Sequence, residues 1–161
     1  IKTVFLGLHS DFITGITEDA TEEIITLPEA TIYRYELSQG VGDFTETITS
    51  SVENGTVFWE QVVNISLMQL TAADRLELQK VAQSRLAVFV LDNNDNIWMI
   101  GQYDSAELTA GTAATGTAKG DANGYNLTWS ASEKLPARKL LQYTSIPFSN
   151  FADITVEAPY A

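Results

Sequence analysis

The sequence predicts an α+β domain that is mainly β, an antiparallel β-sandwich or small barrel with one packed helix and extended loops and terminal arms. Three observations carry that prediction. Residues 57–70 alternate apolar and polar side chains over the length of a long strand. Two β-rich runs, 87–91 and 97–100, flank the turn-forming sequence Asp92-Asn-Asn-Asp-Asn96. Residues 72–85 combine a capped start with helical spacing. The chain has 161 residues, of which 45% are hydrophobic and 19% charged, so one globular domain with a real core is expected. The pattern places that domain at 1–139, its core at 54–137, and a C-terminal arm or added strand at 140–161.

Residues 3–8 read as a first strand and 11–23 as a loop. A short apolar run at 24–27 ends at Pro28. Residues 31–37, TIYRYEL, alternate well, and 38–43, SQGVGD, read as a turn. Residues 44–52 are threonine-rich and fit a strand or an extended arm. A turn at 53–56 leads into the long strand. There Val57, Trp59, Gln61, Val63, Ile65, Leu67 and Gln69 share one parity, which is mostly apolar and is expected to be the better-buried face.

Thr71 then offers an N-cap hydroxyl with Asp74 three residues on, a capping box with Asp in the usual Glu or Gln place. Leu78, Val81 and Ala82 fall on one helix face, with Arg75, Glu77, Lys80 and Gln83 toward water. The glycine- and threonine-rich stretch 111–120 reads as a flexible or extended loop. Residues 121–124, DANG, form a tight turn, and 125–130 alternate again as a final strand. Beyond Glu133 come Pro136, Pro147 and Pro159 among many aromatic and aliphatic residues. Such a tail either adds a strand to its own sheet or docks on a neighbouring subunit.

Charge narrows the function. The net charge of −12 argues against direct binding of a nucleic-acid backbone, which needs clustered Lys and Arg. The bland reading of the acids is a solvated surface that keeps the protein soluble; the sharper one is an acidic surface that DNA passes without sticking. No apolar run approaches the roughly 20 residues of a membrane helix, and the first 15 residues do not read as a signal peptide. There is no cysteine, hence no disulfide or thiol chemistry. The sequons at Asn54, Asn64 and Asn126 read as chance, since two fall inside apparent strands.

No catalytic, cofactor or metal motif survives inspection. His9, the single histidine, is flanked by Ser10 and Asp11, and chain neighbours do not converge as a triad; it reads as a surface or loop residue. Asp92-x-Asn94-x-Asn96 resembles the start of a calcium loop, yet Ile97 stands at the glycine position and Tyr103 at the acidic one, so a hairpin turn explains it better. Asp104 and Glu107 lack neighbours that would tune a carboxylate pair. Gly111 and Gly116 have phosphate-loop spacing, but Thr117 replaces the lysine. Trp59, Trp98 and Trp129 each fall in a predicted strand and read as core packing.

The order strand, helix, hairpin, then G-x-x-x-x-x-E-L at 101–108 and a last strand ending in an acid resembles the core of phage tail-tube proteins. Residues 115–133 also resemble a phrase, TGTAxGDxNGYxLTxxxxE, of structural proteins from phages and prophages of Bacteroidetes. The resemblance spans 54–137. It implies a non-enzymatic virion protein, made in the host cytoplasm and assembled into the tail. Homo-oligomeric rings, hexameric in the family, would join sheets edge to edge into an inner barrel, stack into a tube and meet other virion proteins. DNA would pass without specific binding.

On that reading Leu140, Tyr143, Ile146, Phe148 and Phe151 are the expected anchors of the tail on a neighbour. Glu18, Asp19, Glu22, Glu23, Glu46 and Glu53 are candidates for an acidic lumen. Segments 11–23, 39–52 and 140–161 are the candidate arms. The alternatives are a head–tail connector, tail terminator or capsid decoration protein, or a secreted β-sandwich binding module, for example for carbohydrate. The last would expose coplanar tryptophans.

Overall fold

The computed structural model describes residues 1–38, 40–51, 53–68, 79–117 and 123–158. The fold is mainly β. Its strands are β1 (Thr3–Leu8), β2 (Thr17–Glu18), β3 (Ile24–Thr26), β4 (Ala30–Glu36), β5 (Gly42–Ser51), β6 (Thr56–Met68), β7 (Leu86–Leu91), β8 (Ile97–Ile100), β9 (Glu107–Ala114), β10 (Gly124–Glu133), β11 (Arg138–Lys139) and β12 (Ile154–Glu157). A single 3-10 turn, His9–Phe12, follows β1. A six-stranded sheet runs β11-β8-β7-β1-β4-β12, a four-stranded sheet runs β5-β6-β10-β9, and β2 pairs only with β3. None of the three sheets closes into a barrel among the described residues.

The six-stranded sheet is the middle layer. On one side Val4, Leu6, Val88, Val90 and Ile100 share a core with Val63, Ile65, Tyr125, Leu127, Trp129 and Ala131 of the four-stranded sheet. On the other side Phe5, Ile32, Phe89 and Met99 pack under Phe12, Ile24, Leu27, Leu140, Phe148 and Phe151. Every residue of β7 is therefore buried, which explains its unbroken apolar run LAVFVL. The four-stranded sheet is covered on one face only, so β10 alternates: Tyr125, Leu127, Trp129, Ala131 and Glu133 are buried, and the residues between them are more open. In β6 the expected parity holds, with Gln61, Val63 and Ile65 buried.

Several expectations need correction. The strands are not all antiparallel, because β12 joins β4 in parallel, Ile154 beside Ala30. The glycine-rich stretch is strand as far as Ala114, since β9 pairs with β10 through Ala114 beside Gly124. Small residues there suit an edge strand rather than a loop. The cap at Thr71 and Asp74 and the helix as far as residue 78 lie outside the described residues, as do 121–122 of the expected turn. Residues 79–82 are helical, but the chain leaves the helix before Arg85, and Val81 packs on the core while Ala82 is exposed. Of the two roles expected for 140–161, the added strand is the one seen: β12 joins the six-stranded sheet, and Leu140, Phe148 and Phe151 belong to the core of the same chain.

Candidate functional site

The most heavily constructed polar feature is the corner Gly101–Ser105 between β8 and β9. Gly101 has φ +72°, and a Cβ there would meet the Ala106 nitrogen at 2.4 Å, so the corner requires glycine. Its amide donates to Oε1 of buried Gln61 at 3.2 Å. The amides of Tyr103 and Asp104 donate to the Glu133 carboxylate at 3.2 and 3.0 Å. Arg85 closes the other side, with Nε donating to Ser105 Oγ at 3.0 Å and Nη2 to the Asp104 carbonyl at 2.9 Å. Its Nε also lies 3.7 Å from Glu107. This corner is the G-x-x-x-x-x-E-L segment, and the acid that ends the last strand is the group that pins it.

Glu133 is 2% exposed. Burial pushes its carboxyl up, against the pull of the Asp104 and Tyr103 amides, and the nearby Asp104 charge adds to the rise. A folded value above the unfolded one means that the proton is held more tightly in the fold. The associated stability is present at low pH and is lost as pH rises through the folded value. Glu133→Gln is therefore expected to gain stability relative to the parent as pH rises above the ordinary glutamate range. Urea unfolding of both proteins across that window reads the difference. A stability of the variant relative to the parent that falls with rising pH would overturn the assignment.

His9 is buried rather than on the surface, and its Nε2 lies 3.2 Å from the Gln102 carbonyl. Asp92 is a turn residue: its Oδ1 accepts from the Asn94 and Asn96 amides at 2.7 and 2.9 Å, and its Oδ2 accepts from the Trp98 indole at 3.2 Å. Burial would raise Asp92, but the bonds from Asn96, Trp98 and Asn94 together hold it below the usual carboxylate range. Its lone pairs are thus occupied by the hairpin and not arranged for calcium. Among the described residues no three of His, Asp and Glu converge to hold a metal ion. A cleft of about 550 Å³ has Phe44, Val90 and Trp98 in its wall and Asp43, Glu46 and Asp92 around them. Those three carboxylates already accept hydrogen bonds within the chain.

The expected anchors divide. Leu140, Phe148 and Phe151 are buried in their own core, where Phe148 meets Phe5 edge-on at 4.9 Å and Phe89 at 5.4 Å. Their apolar surface is spent inside the chain, which corrects their role as anchors on a neighbour. Tyr143 is half-buried and donates to Asp95 Oδ1 at 3.2 Å. Ile146 alone is open, at 67%.

The expected acidic lining divides as well. Glu18 and Glu22 pair with buried Arg138, and Glu23 lies 3.1 Å from Lys139. Asp19 accepts from the Thr21 and Glu23 amides at 2.8 and 3.0 Å. Glu46 accepts from Gln61 at 3.1 Å and from the Ala137 amide at 2.7 Å. Three of the six thus sit against two of the chain's own cations, Arg138 and Lys139. Glu53 is exposed at a hairpin tip.

A different surface carries the charge signal. The four strands β5, β6, β9 and β10 contain no Lys or Arg. Their open face presents Thr45, Thr47, Asn64, Ser66, Thr112, Asn126, Thr128 and Ser130, with charge only at Asp43, Glu60 and Glu107. Asn64 links Asp43 and Thr128 across three strands at 3.1 and 2.7 Å. The sheet ends in two long edges, ten-residue β5 and eight-residue β9, and no strand among the described residues pairs with their outer sides. The six-stranded sheet instead ends in two-residue β11 and four-residue β12.

One end of this sheet projects. The last β10 pair is Glu133 with Trp59, while β5 and β6 continue as a two-stranded ribbon through Ser51 and Thr56. Ile48, Val57 and Phe58 are exposed along it. No protein-family model and no curated protein sequence matches this chain. Among the described residues no helix is long and apolar enough to cross a membrane.

Proposed function

We propose that this protein is a phage virion structural subunit, the building block of a tail tube, and that its two facing sheets form a β-sandwich within each copy. The observation that carries the reading is the four-stranded sheet, whose two long edges pair with no further strand among the described residues and whose strands contain no Lys or Arg. Long free edges are a hazard that soluble β proteins normally blunt, and closure into a ring removes them. The strand directions suit closure. β5, β6, β10 and β9 alternate in direction, so β9 of one copy is antiparallel to β5 of the next when the copies are related by rotation about a ring axis. The sheet then continues unbroken around the ring.

The open face would line the channel. Its hydroxyls and amides offer no cation to phosphate, Asp43 and Glu60 repel it, and Glu107 at the rim is paired with Arg85, so DNA slides rather than binds. The ribbon strands 49–51 and 56–58 and exposed Ile146 are the surfaces left for contact between rings. The carbohydrate-module reading loses its platform, since Trp129 is buried and Trp59 and Trp98 are half-buried.

Negative-stain electron microscopy of the purified chain over a range of concentrations tests the proposal. Stacked rings with a central channel are expected. A monomer at every concentration would overturn it, and a single ring that never stacks would favour a connector or terminator.

A further inference from the structure

We propose that Asn54 is a self-modification site, where the side-chain amide is lost to leave an aspartyl or isoaspartyl residue at the tip of the β5–β6 hairpin. The inference goes beyond the assembly reading and does not depend on it. In the reaction, the deprotonated backbone nitrogen of Gly55 attacks Asn54 Cγ. The bond from Cγ to the amide nitrogen breaks and ammonia leaves, which closes a five-membered succinimide. Water then adds to one of the two imide carbonyls and opens the ring, either restoring the ordinary backbone or routing it through the side chain. No oxidant, metal or enzyme is required.

The tip supplies what the step needs. Asn54 and Gly55 are both exposed, in a turn beyond the end of the paired strands. Gly55 has φ +65° and nothing within 4 Å of where a Cβ would stand, so neither a side chain of its own nor a neighbouring atom crowds that side of the residue. No hydrogen bond among the described residues engages the Asn54 side chain. Other asparagines are held: Asn64 by Asp43, Asn126 by Ser66, Asn96 by Asp92 and Asn150 by the Gln142 carbonyl. They also precede larger residues, which hinder the attacking nitrogen. Asn123 is the other asparagine followed by glycine, but Gly124 is locked between Met68 and Ala114, and a Cβ there would lie 2.0 Å from the Leu67 carbonyl oxygen. Its nitrogen cannot swing without opening the ladder. Asparagine is among the thermolabile residues, so the step is expected under ordinary warm storage. It adds a carboxylate beside exposed Val57 and Phe58.

The test is incubation of the intact folded chain in warm buffer at neutral and mildly alkaline pH, followed by proteolysis and peptide mass spectrometry. The peptide holding Asn54 is expected to gain the mass of an amide-to-acid exchange several-fold faster than the peptide holding Asn123. The rate should rise with pH, and isoaspartate should be the larger product. Asn54→Gln, whose longer side chain disfavours the ring, should remove the early mass gain. Retention of the Asn54 amide in the folded chain while the urea-unfolded chain loses it would overturn the proposal. Equal rates at Asn54 and Asn123 in the folded chain would overturn it too.

Discussion

A chain cut after Lys139 is expected not to fold. The segment it loses supplies Leu140, Phe148 and Phe151 to the core on one face of the six-stranded sheet, along with edge strand β12. Phe148 is 3% exposed and sits edge-on against Phe5 and Phe89. Truncating a buried phenylalanine costs about 3–5 kcal/mol and a buried leucine about 2–5 kcal/mol. Two phenylalanines and a leucine together match or exceed the roughly 5–15 kcal/mol by which a domain of this kind is stable. The cut also uncovers Phe5 and Phe89, whose rings Phe148 meets, which invites aggregation.

Phe148→Ala isolates the effect, with an expected loss of about 3–5 kcal/mol in urea unfolding. Ile146→Ala, two residues away at an open position, should change stability by less than about 0.5 kcal/mol. A cut chain that stays monomeric, keeps native circular dichroism and melts cooperatively would show that the tail is an external arm after all.

How far the fold was legible can be argued element by element. The long alternation of β6 and the hairpin around Asp92 were readable because each depends on local chemistry: one face buried, and one carboxylate that satisfies its own turn. The two-sided burial of β7 was only half readable. An unbroken apolar run signals a strand covered twice, but nothing in LAVFVL says that the second cover comes from Phe148, some sixty residues on. For the same reason the sequence leaves two roles open for the tail, an added strand or an arm on a neighbour, and the fold adds β12 to its own sheet. Its Phe and Tyr content showed that it must dock, and sequence alone does not say on which core.

The acidic residues are a different case. Glu18, Glu22 and Glu23 cluster in sequence, yet so do Arg138 and Lys139, and β3 lies beside Leu140 in the fold, which joins the two groups. The corner at Gly101 left a trace in the spacing of Gly101, Glu107, Leu108 and Glu133, but the roles of Gln61 and Arg85 in holding it could not be seen. Better evidence lay in plain view: the absence of Lys and Arg throughout four strands, which takes on meaning once those strands share a sheet.

That absence yields the second large prediction. Thr47→Lys, Thr112→Lys and Ser130→Lys together place three cations on the open face of the four-stranded sheet while sparing the hydrogen bonds among Asp43, Asn64 and Thr128. The three positions hold polar side chains on the uncovered face, so each change should cost less than about 0.5 kcal/mol of stability. If the face lines a channel, the assembled variant is expected to retain duplex DNA where the parent does not. Retention should be steeply salt-dependent, with log K falling by about 0.9 per phosphate contacted for each unit of log salt. Short duplexes co-sedimented with assembled protein at several salt concentrations give both readings. A control with Glu36→Lys and Thr155→Lys, on β4 and β12 of the other sheet, makes the same change of three in net charge and so separates lumen effects from a general change in charge. Equal retention by variant and control, or retention without salt dependence, would remove this face from the channel. It would leave ring closure through β5 and β9 as a separate matter, because edge pairing depends on backbone groups that these substitutions leave in place.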